Sequence, residues 1–306
     1  MDYILKMENI DYILKENFKD KLIENYPMRE YTSFKCGGNA RYLIYPESVE
    51  ELIKIIGISK KYNLEFLVLG KGTNVLVSDR GFDGVIISTL KLNKINFGVE
   101  NLRCEAGVKI SSLLKFCIEN SLQGLEFLAG IPGTIGGAVK NNAGLKNEWI
   151  SEKIDYVKFF DVNSGKIIKK EREDIFFDYR KSEFDSSKII LEVNFKPEKE
   201  KKEKIVLNIK KYIEERRNKQ PEGHSAGSIF KNPYPYYAGE LIEKCGLKGY
   251  SIGDCYISEK HANFIINKGS GKADDIYKLI KIIKEKVKEK FNIELETEIQ
   301  LIGEFE

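Results

Sequence analysis

GLEFLAGIPGTIGGAVKNNAG, residues 124–144, is the stretch on which the reading of the fold turns. Glycine stands at 130, 133, 136 and 137, Pro132 lies among them, and most of the remaining residues are apolar or small. Glycine accepts positive φ and has no Cβ, so a backbone of this kind can lie directly on a flat or charged ligand. Its N–H groups can converge on phosphate oxygens as an anion nest. A glycine-rich turn between two strands has the same composition. A second cluster upstream, Gly70-Lys71-Gly72-Thr73-Asn74, directly after an apolar strand, favours the cradle.

Neither cluster is a familiar nucleotide fingerprint. A Rossmann turn needs G-x-G-x-x-G opening a helix, but Val75 stands where the third glycine belongs and a strand-like NVLVS follows. No G-x-x-x-x-G-K-[ST] occurs, which removes P-loop hydrolysis. The segment GHSAG at 223–227 matches the G-x-S-x-G nucleophile elbow, and Asp254 and His261 follow in hydrolase order. Its flanks, RRNKQPE before and SIFKNPYPYY after, do not read as the strand and helix an elbow requires.

The totals narrow the class. A chain of 306 residues has room for two domains with buried cores. Its net charge of +3, from 50 basic and 47 acidic residues, is far from that of a nucleic-acid binder. Cysteines at 36, 104, 117, 245 and 255 form no C-x-x-C pair and read as reduced thiols, and the two histidines, 224 and 261, show no metal-ligand spacing, so no metal is expected. The N-terminus mixes Asp, Lys and Glu through its apolar residues and does not read as a signal peptide. The longest apolar run, 127–139, is too short for a membrane span. A cytoplasmic protein is expected.

Along the chain, residues 1–25, with DYILK at 2–6 and again at 11–15, read as one or two amphipathic helices. A strand follows at 40–45. Ser48-Val49-Glu50-Glu51 is a capping box, so a helix runs from there to about 62, and 65–69 is the next strand, which completes a β–α–β unit. Short strands at 74–78 and 84–88 flank a turn, and a strand at 101–106 leads to a helix at 110–120. Strands are expected at 154–161, 166–169 and 189–195. The charged run KPEKEKKEK, 196–204, reads as a domain boundary. Helical periodicity returns at 205–217 and at 274–290, where Ile276, Leu279, Ile280, Ile283 and Val287 share a face. A last strand at 294–302 would put Glu296, Glu298 and Gln300 on one side.

Three polar groupings stand out. The loop GHSAGSIFKNP, 223–233, carries Ser225, Ser228, Lys231 and Asn232, the groups a phosphorylated or carboxylated small molecule needs; a surface loop with self-bonded serines has the same residues. FFDYRKS, 176–182, offers Arg180, and the final strand offers Glu298; either could simply face water.

Taken together, YTSFKCGGNAR (31–41), LGKGTNVLVSDRGFDGVII (69–87), LEFLAGIPGTIGGAVKNNAG (125–144), FFDYRKSEF (176–184), AGSIFKNP (226–233), AGELIEKCGLKGYSIGD (238–254), SEKHANFIIN (258–267) and LETEIQLIGE (295–304) resemble one family in order along the chain: UDP-N-acetylenolpyruvoylglucosamine reductase. The resemblance implies an α+β fold. A vanillyl-alcohol-oxidase (PCMH-type) FAD domain of two subdomains would occupy residues 1–204, with a helical segment at 1–30. A smaller α+β domain, 205–306, would bind the UDP-sugar.

By the same resemblance, non-covalent FAD is held by Gly70, Lys71, Gly72, Thr73 and Asn74 and by Gly130, Pro132, Gly133, Thr134, Gly136, Gly137 and Ala138. Backbone N–H groups of Gly70–Asn74 and Gly133–Ala138 would meet the pyrophosphate, Asn142 and Ala143 would sit against the isoalloxazine, and Gly144 would be a further cofactor-binding residue. NADPH reduces the flavin, whose N5 passes hydride to the enolpyruvyl methylene. Negative charge then builds on the adjacent carbon and its carboxylate and needs donors aimed at it. Arg180 is a planar fork suited to that end, and a protonated Glu298 can give a second hydrogen bond. The family's proton-donating serine falls on Ser228, not Ser225. Tyr179, Lys219, Lys231, Asn232, His261 and Asn263 would be substrate-side groups.

The interval between Arg180 and Ser228 has no room for the family's tyrosine-bearing insert, so the chain resembles the short form. A monomer acting on small molecules is expected. The alternatives are a carbohydrate or alcohol oxidase on the same flavin fold and a degenerate flavin or nucleotide binder. No histidine precedes 224, so a covalent flavin link in the oxidase would fall to Cys36, Cys104 or Cys117.

Overall fold

The computed structural model describes residues 2–98, 101–145 and 148–306. Side chains of residues 2–9, and with them the first DYILK copy, lie outside the described residues. The chain forms two compact units, each made of separate segments. The first comprises Met1–Asn25, Tyr42–Lys71 and Gly84–Ile213, the second Tyr26–Arg41, Gly72–Asp83 and Glu214–Glu306. The α+β expectation holds, but the expected cut at 204/205 does not. Two short pieces of the N-terminal half belong with the C-terminal unit, and the later division falls at 213/214, inside the helix Lys202–Lys219.

A four-stranded sheet, most of whose residues fall in the first unit, has the order Leu22–Pro27, Asn39–Ile44, Phe82–Ser88, Phe66–Leu69. The β–α–β unit therefore exists with a later strand inserted between its two strands. Its helix, Val49–Lys61, starts where the sequence places it: Ser48 Oγ accepts the N–H of Glu51 at 3.2 Å. The Glu51 carboxylate reaches back to the N–H of Glu47 instead of Ser48, at 2.8 Å, and pairs with Lys21 at 2.6 Å. Leu52, Ile55 and Ile56 pack with Tyr42, Ile44, Val85 and Ile87. The N-terminal helix Asp2–Phe18 adds Ile10, Leu14 and Phe18, which are spaced four apart and so share a face.

The other sheet of this unit is antiparallel, in the order Lys166–Glu171, Ile154–Asp161, Lys188–Phe195, Leu102–Glu105, Ile95–Phe97. Its central strand is buried on both faces: Ile189 and Leu191 enter the core just described, and Ile190 and Val193 enter a second one. That second core takes Leu113, Leu114 and Cys117 from the helix Ile110–Glu119, and Ile135, Ala138 and Val139 from the helix Ile135–Lys140.

The charged run 196–204 is not a linker. Glu198–Lys199 pairs with Leu122–Gln123, and the next helix begins at Lys202 and buries Ile205 and Ile209. The charges mark the solvated side of a continuous structure, which composition alone cannot tell from a break.

In the second unit, the helix Ala273–Phe291 buries the five expected residues and stops at Asn292, which has φ 56°. Near it lie the antiparallel strands Ser251–Ile252, Cys255–Ile257 and Ile265–Asn267. Val75–Val77 and Phe82–Ser88, expected around one turn, enter different sheets; Val75–Val77 pairs in parallel with Gln300–Ile302. The last strand is accordingly shorter than 294–302. Thr297 bridges to Phe230, the chain bends at 298 and 299, and the ladder with Val75–Val77 starts at Gln300, so no single continuous strand runs through 296, 298 and 300. No helix among the described residues is long and apolar enough to cross a membrane.

The long helix is capped from far away in sequence. Asp79 Oδ1 accepts the N–H of Ala273 at 3.1 Å, and its Oδ2 accepts that of Asp274 at 3.0 Å. A carboxylate there satisfies two otherwise orphaned donors and complements the helix dipole. Asp79→Ala is expected to lower stability by about 1–2 kcal/mol, read as a shifted urea midpoint. A midpoint equal to that of the unaltered protein would show that water replaces the cap at no cost.

Candidate functional site

Within the first unit, Gly70 of the upstream cluster passes against Thr134 of the downstream one. A Cβ placed on Gly70 would lie 2.3 Å from Thr134 Oγ1, so only glycine lets the chain pass there. Thr134 is the N-cap of Ile135–Lys140, its Oγ1 accepting the N–H of Gly137 at 3.4 Å. From Gly70 the chain runs into the second unit. Gly72 has φ 66°, and a Cβ on it would meet Tyr31 at 2.8 Å. Among the described residues, the N–H groups of Lys71, Gly72 and Thr73 make no backbone hydrogen bond. A run of open donors on a tight glycine turn is what a pyrophosphate needs.

The downstream cluster offers less than expected. The N–H groups of Ile135, Gly136 and Ala138 donate to Val108, Ala106 and Thr134 carbonyls, and that of Gly137 is taken by Thr134. The expectation that 133–138 all present N–H groups thus narrows to Gly133 and Thr134, next to the exposed Gly130 and Pro132. Gly136 instead serves packing, since a Cβ there would sit 2.9 Å from that of Ala106.

The end of this stretch holds a second element. Asn142 is buried; its Nδ2 donates to the carbonyl of Asp178 at 3.0 Å, and its Oδ1 accepts the N–H of Ser151 at 3.3 Å. Ser182 Oγ donates to the carbonyl of Lys140 at 2.7 Å. These bonds fasten the hairpin Phe177–Asp178/Lys181–Ser182, whose turn carries Tyr179 and Arg180. Arg180 has φ 52°, donates from Nη2 to the carbonyl of Gly144 at 3.4 Å, and lies over the rings of Trp149 (5.5 Å) and Tyr179 (5.7 Å). The Asn142 side chain is therefore a brace for the Arg180 turn, through both atoms of its amide. Trp149, the chain's one tryptophan, carries no sequence signal of this role, because nothing around it forms a motif.

In the second unit, the segments of Ser228, Glu298 and Asn74 are joined. The N–H of Glu298 donates to the carbonyl of Ile229 at 2.7 Å, and Asn74 Nδ2 donates to the carbonyl of Glu298 at 3.1 Å. Asn263 is buried and its side chain faces the backbone of Phe230, not solvent. Its own N–H donates to His261 Nδ1 at 3.2 Å. Burial lowers the pKa of His261 below the usual value, so the ring is neutral near pH 7 and its proton sits on Nε2. Lys231 pairs with Glu296 at 2.5 Å, and Asn232 Oδ1 accepts the N–H of Ala238 at 3.0 Å. Lys219 stands at an exposed helix end, paired with Glu215 at 2.9 Å.

Two rival chemistries lose their geometry. Ser225 lies in a loop between the helices Lys202–Lys219 and Ala238–Lys244, with no strand entering it from 219, and its Oγ accepts the N–H of Gly227 at 3.3 Å. That is a local turn and no nucleophile elbow. Cys36, Cys104 and Cys117 are buried in apolar cores, and burial pushes all three thiols up, Cys117 to about 12. None is a thiolate able to bind flavin covalently. No group of three or more metal-ligating side chains converges among the described residues.

Comparison with known proteins gives a consistent result. A family model described as an FAD binding domain matches residues 40–170. One described as UDP-N-acetylenolpyruvoylglucosamine reductase, C-terminal domain, matches residues 219–302. The UDP-N-acetylenolpyruvoylglucosamine reductase of Clostridium kluyveri is 44% identical over 280 residues, covering 91% of this chain and 92% of that one. Its counterpart from Caldicellulosiruptor saccharolyticus is 41% identical over 295 residues, 95% of each chain. The crystal structure of the Thermus caldophilus reductase of that name aligns with a TM-score of 0.78 at 32% identity, over 92% of this chain and 98% of that one.

Proposed function

Because the chain belongs to the UDP-N-acetylenolpyruvoylglucosamine reductase family, whose members are FAD-dependent oxidoreductases, we propose that it reduces UDP-N-acetylglucosamine enolpyruvate to UDP-N-acetylmuramate at the expense of NADPH. The product feeds peptidoglycan synthesis, and with it cell shape and division. We place the reaction in the cytoplasm, on a monomer.

The residues fit the cofactor: a glycine turn with open N–H groups passes against Thr134 where a Cβ would collide. Lys71, Gly72 and Thr73 would hold the pyrophosphate, and Gly133 and Thr134 would offer FAD further N–H groups. FAD, once bound and reduced by NADPH, supplies the hydride for the methylene carbon of the enol ether.

The protein's own part is electrostatics and a proton. The C=C bond gains a hydride at one carbon and a proton at the other, so a carbanion next to a carboxylate must be stabilised in between. Arg180 binds the carboxylate, and Glu298 bonds to it as the acid. Ser228 gives its proton to the carbon; serine is a weak acid, so it serves only a strongly basic carbanion already in contact. Lys219, Lys231, Asn232, Tyr179 and His261 remain as groups for the phosphates and sugar. What most supports this assignment is the bond from the N–H of Glu298 to the carbonyl next to Ser228. The oxidase reading finds no support in the buried cysteines.

The test is an anaerobic titration. NADPH is expected to bleach the yellow protein, and the enolpyruvyl substrate to restore the colour with no oxygen present, giving a product heavier by two hydrogens. Recolouring that needs oxygen would overturn the proposal in favour of the oxidase.

A further inference from the structure

Phe230 faces Thr297 in an isolated antiparallel bridge, flanked by the bonds Glu298 N–H to Ile229 C=O at 2.7 Å and Lys231 N–H to Glu296 C=O at 2.9 Å. In such a pair the N–H and C=O of the bridged residue point away from the partner strand. They are buried with Phe230 and need another partner. No strand supplies it. The side chain of Asn263 does: its Oδ1 accepts the N–H of Phe230 at 2.9 Å, and its Nδ2 donates to the carbonyl of Phe230 at 2.8 Å. The Asn263 backbone carbonyl also takes the N–H of Ile229 at 2.9 Å. One buried amide, 3% exposed, thus reproduces both bonds of a β-ladder at the segment that begins with Ser228.

We infer that Asn263 is a positioning residue for the proton donor: its amide is the second ladder partner of residue 230 and sets where the Ser228 hydroxyl stands relative to the Glu298 segment. The inference rests on the reading of Ser228 as proton donor. It replaces the expected contact of Asn263 with substrate. Asn263 acts through 229 and 230, whose backbone is hydrogen-bonded on both edges, and His261 Nδ1 accepts the N–H of Asn263 in turn. Oxygen and nitrogen must both be present, in this order, because one backbone donor and one backbone acceptor are being met.

The amide pattern makes a specific test available. Asn263→Ala removes both bonds. The variant is expected to bind FAD and to be bleached by NADPH at an unchanged rate, while recolouring by the enolpyruvyl substrate slows about 100-fold, the scale of a misplaced reacting group. Asn263→Asp is the sharper variant. An ionised carboxylate offers two acceptors and repels the carbonyl of Phe230, but a protonated one has the donor–acceptor pattern of the amide. Burial raises the carboxyl's pKa, so the recolouring rate of Asn263→Asp should climb towards that of the unaltered protein as pH falls. Asn263→Ala should not be rescued. Protonation of His261 is common to all three proteins, and the profiles of the unaltered protein and Asn263→Ala correct for it.

Equal loss in both half-reactions with no acid rescue would reduce Asn263 to a structural residue and overturn the inference, as would an unchanged recolouring rate in Asn263→Ala. Ser228→Ala in the same assay separates the two levels. If it is silent, the proton-donor reading fails and the inference with it. If it is slow while Asn263→Ala is not, only the inference fails.

Discussion

Ser228→Ala is expected to bind FAD, to be bleached by NADPH at the unaltered rate, and to be recoloured by the enolpyruvyl substrate about 1,000-fold more slowly, the middle of the range a positioned acid contributes. The split follows from what the hydroxyl does. Reduction of the flavin asks nothing of a group that protonates carbon, whereas reduction of the enol ether cannot finish without it. Ser225 is the internal control. It lies three residues away, in the same loop, and its hydroxyl already accepts the N–H of Gly227. Ser225→Ala should therefore be nearly silent. A stopped-flow trace of flavin absorbance reads both variants. An unaltered recolouring rate in Ser228→Ala would remove the residue as proton donor; a large loss in Ser225→Ala would mean that the Gly227 turn orients the loop.

The elements that were legible in the sequence are those whose determinants are local. Ser48 and Glu51 announce the start of Val49–Lys61, and the spacing of Ile276, Leu279, Ile280, Ile283 and Val287 announces the buried face of Ala273–Phe291. What stayed hidden depends on partners distant in the chain. Val75–Val77 cannot be matched to Gln300–Ile302 from either alone, and the contacts that draw 26–41 and 72–83 into the C-terminal unit span most of the chain. The polar residues show the same limit more sharply. Asn142 and Asn263 read as ligand-facing because an amide that meets a ligand and one that meets a buried backbone are the same residue. Only the carbonyls of Asp178 and Phe230, both more than thirty positions away, tell them apart. Asp79, read as part of a turn, is a helix cap for the same reason.

Arg180 separates function from stability in a measurable way. Its φ of 52° lies in the left-handed region, where a residue with a Cβ costs roughly 1–2 kcal/mol relative to the right-handed form. The hairpin tolerates this because Asn142 and Ser182 fasten it on either side of the turn. In return, the guanidinium is stacked over Trp149 and Tyr179, each contact worth about 0.5–1 kcal/mol at a partly exposed site. Arg180→Gly relieves the backbone and forfeits the stacking together with the long Nη2 bond to Gly144; the relief offsets most of the loss, so the melting temperature should move little. The rate should behave otherwise. Loss of a donor aimed at developing negative charge costs about 100- to 1,000-fold, so recolouring by the enolpyruvyl substrate is expected to fall that far in a protein nearly as stable as the original. Arg180→Lys keeps the charge and the strained backbone but not the planar fork; it should recover only a small part of the loss. Full activity in Arg180→Lys would mean that a point charge is enough and that the fork is not what the carboxylate requires. A melting temperature that drops with the rate in Arg180→Gly would mean that the residue holds the turn, and its assignment to the substrate's acid end would fall.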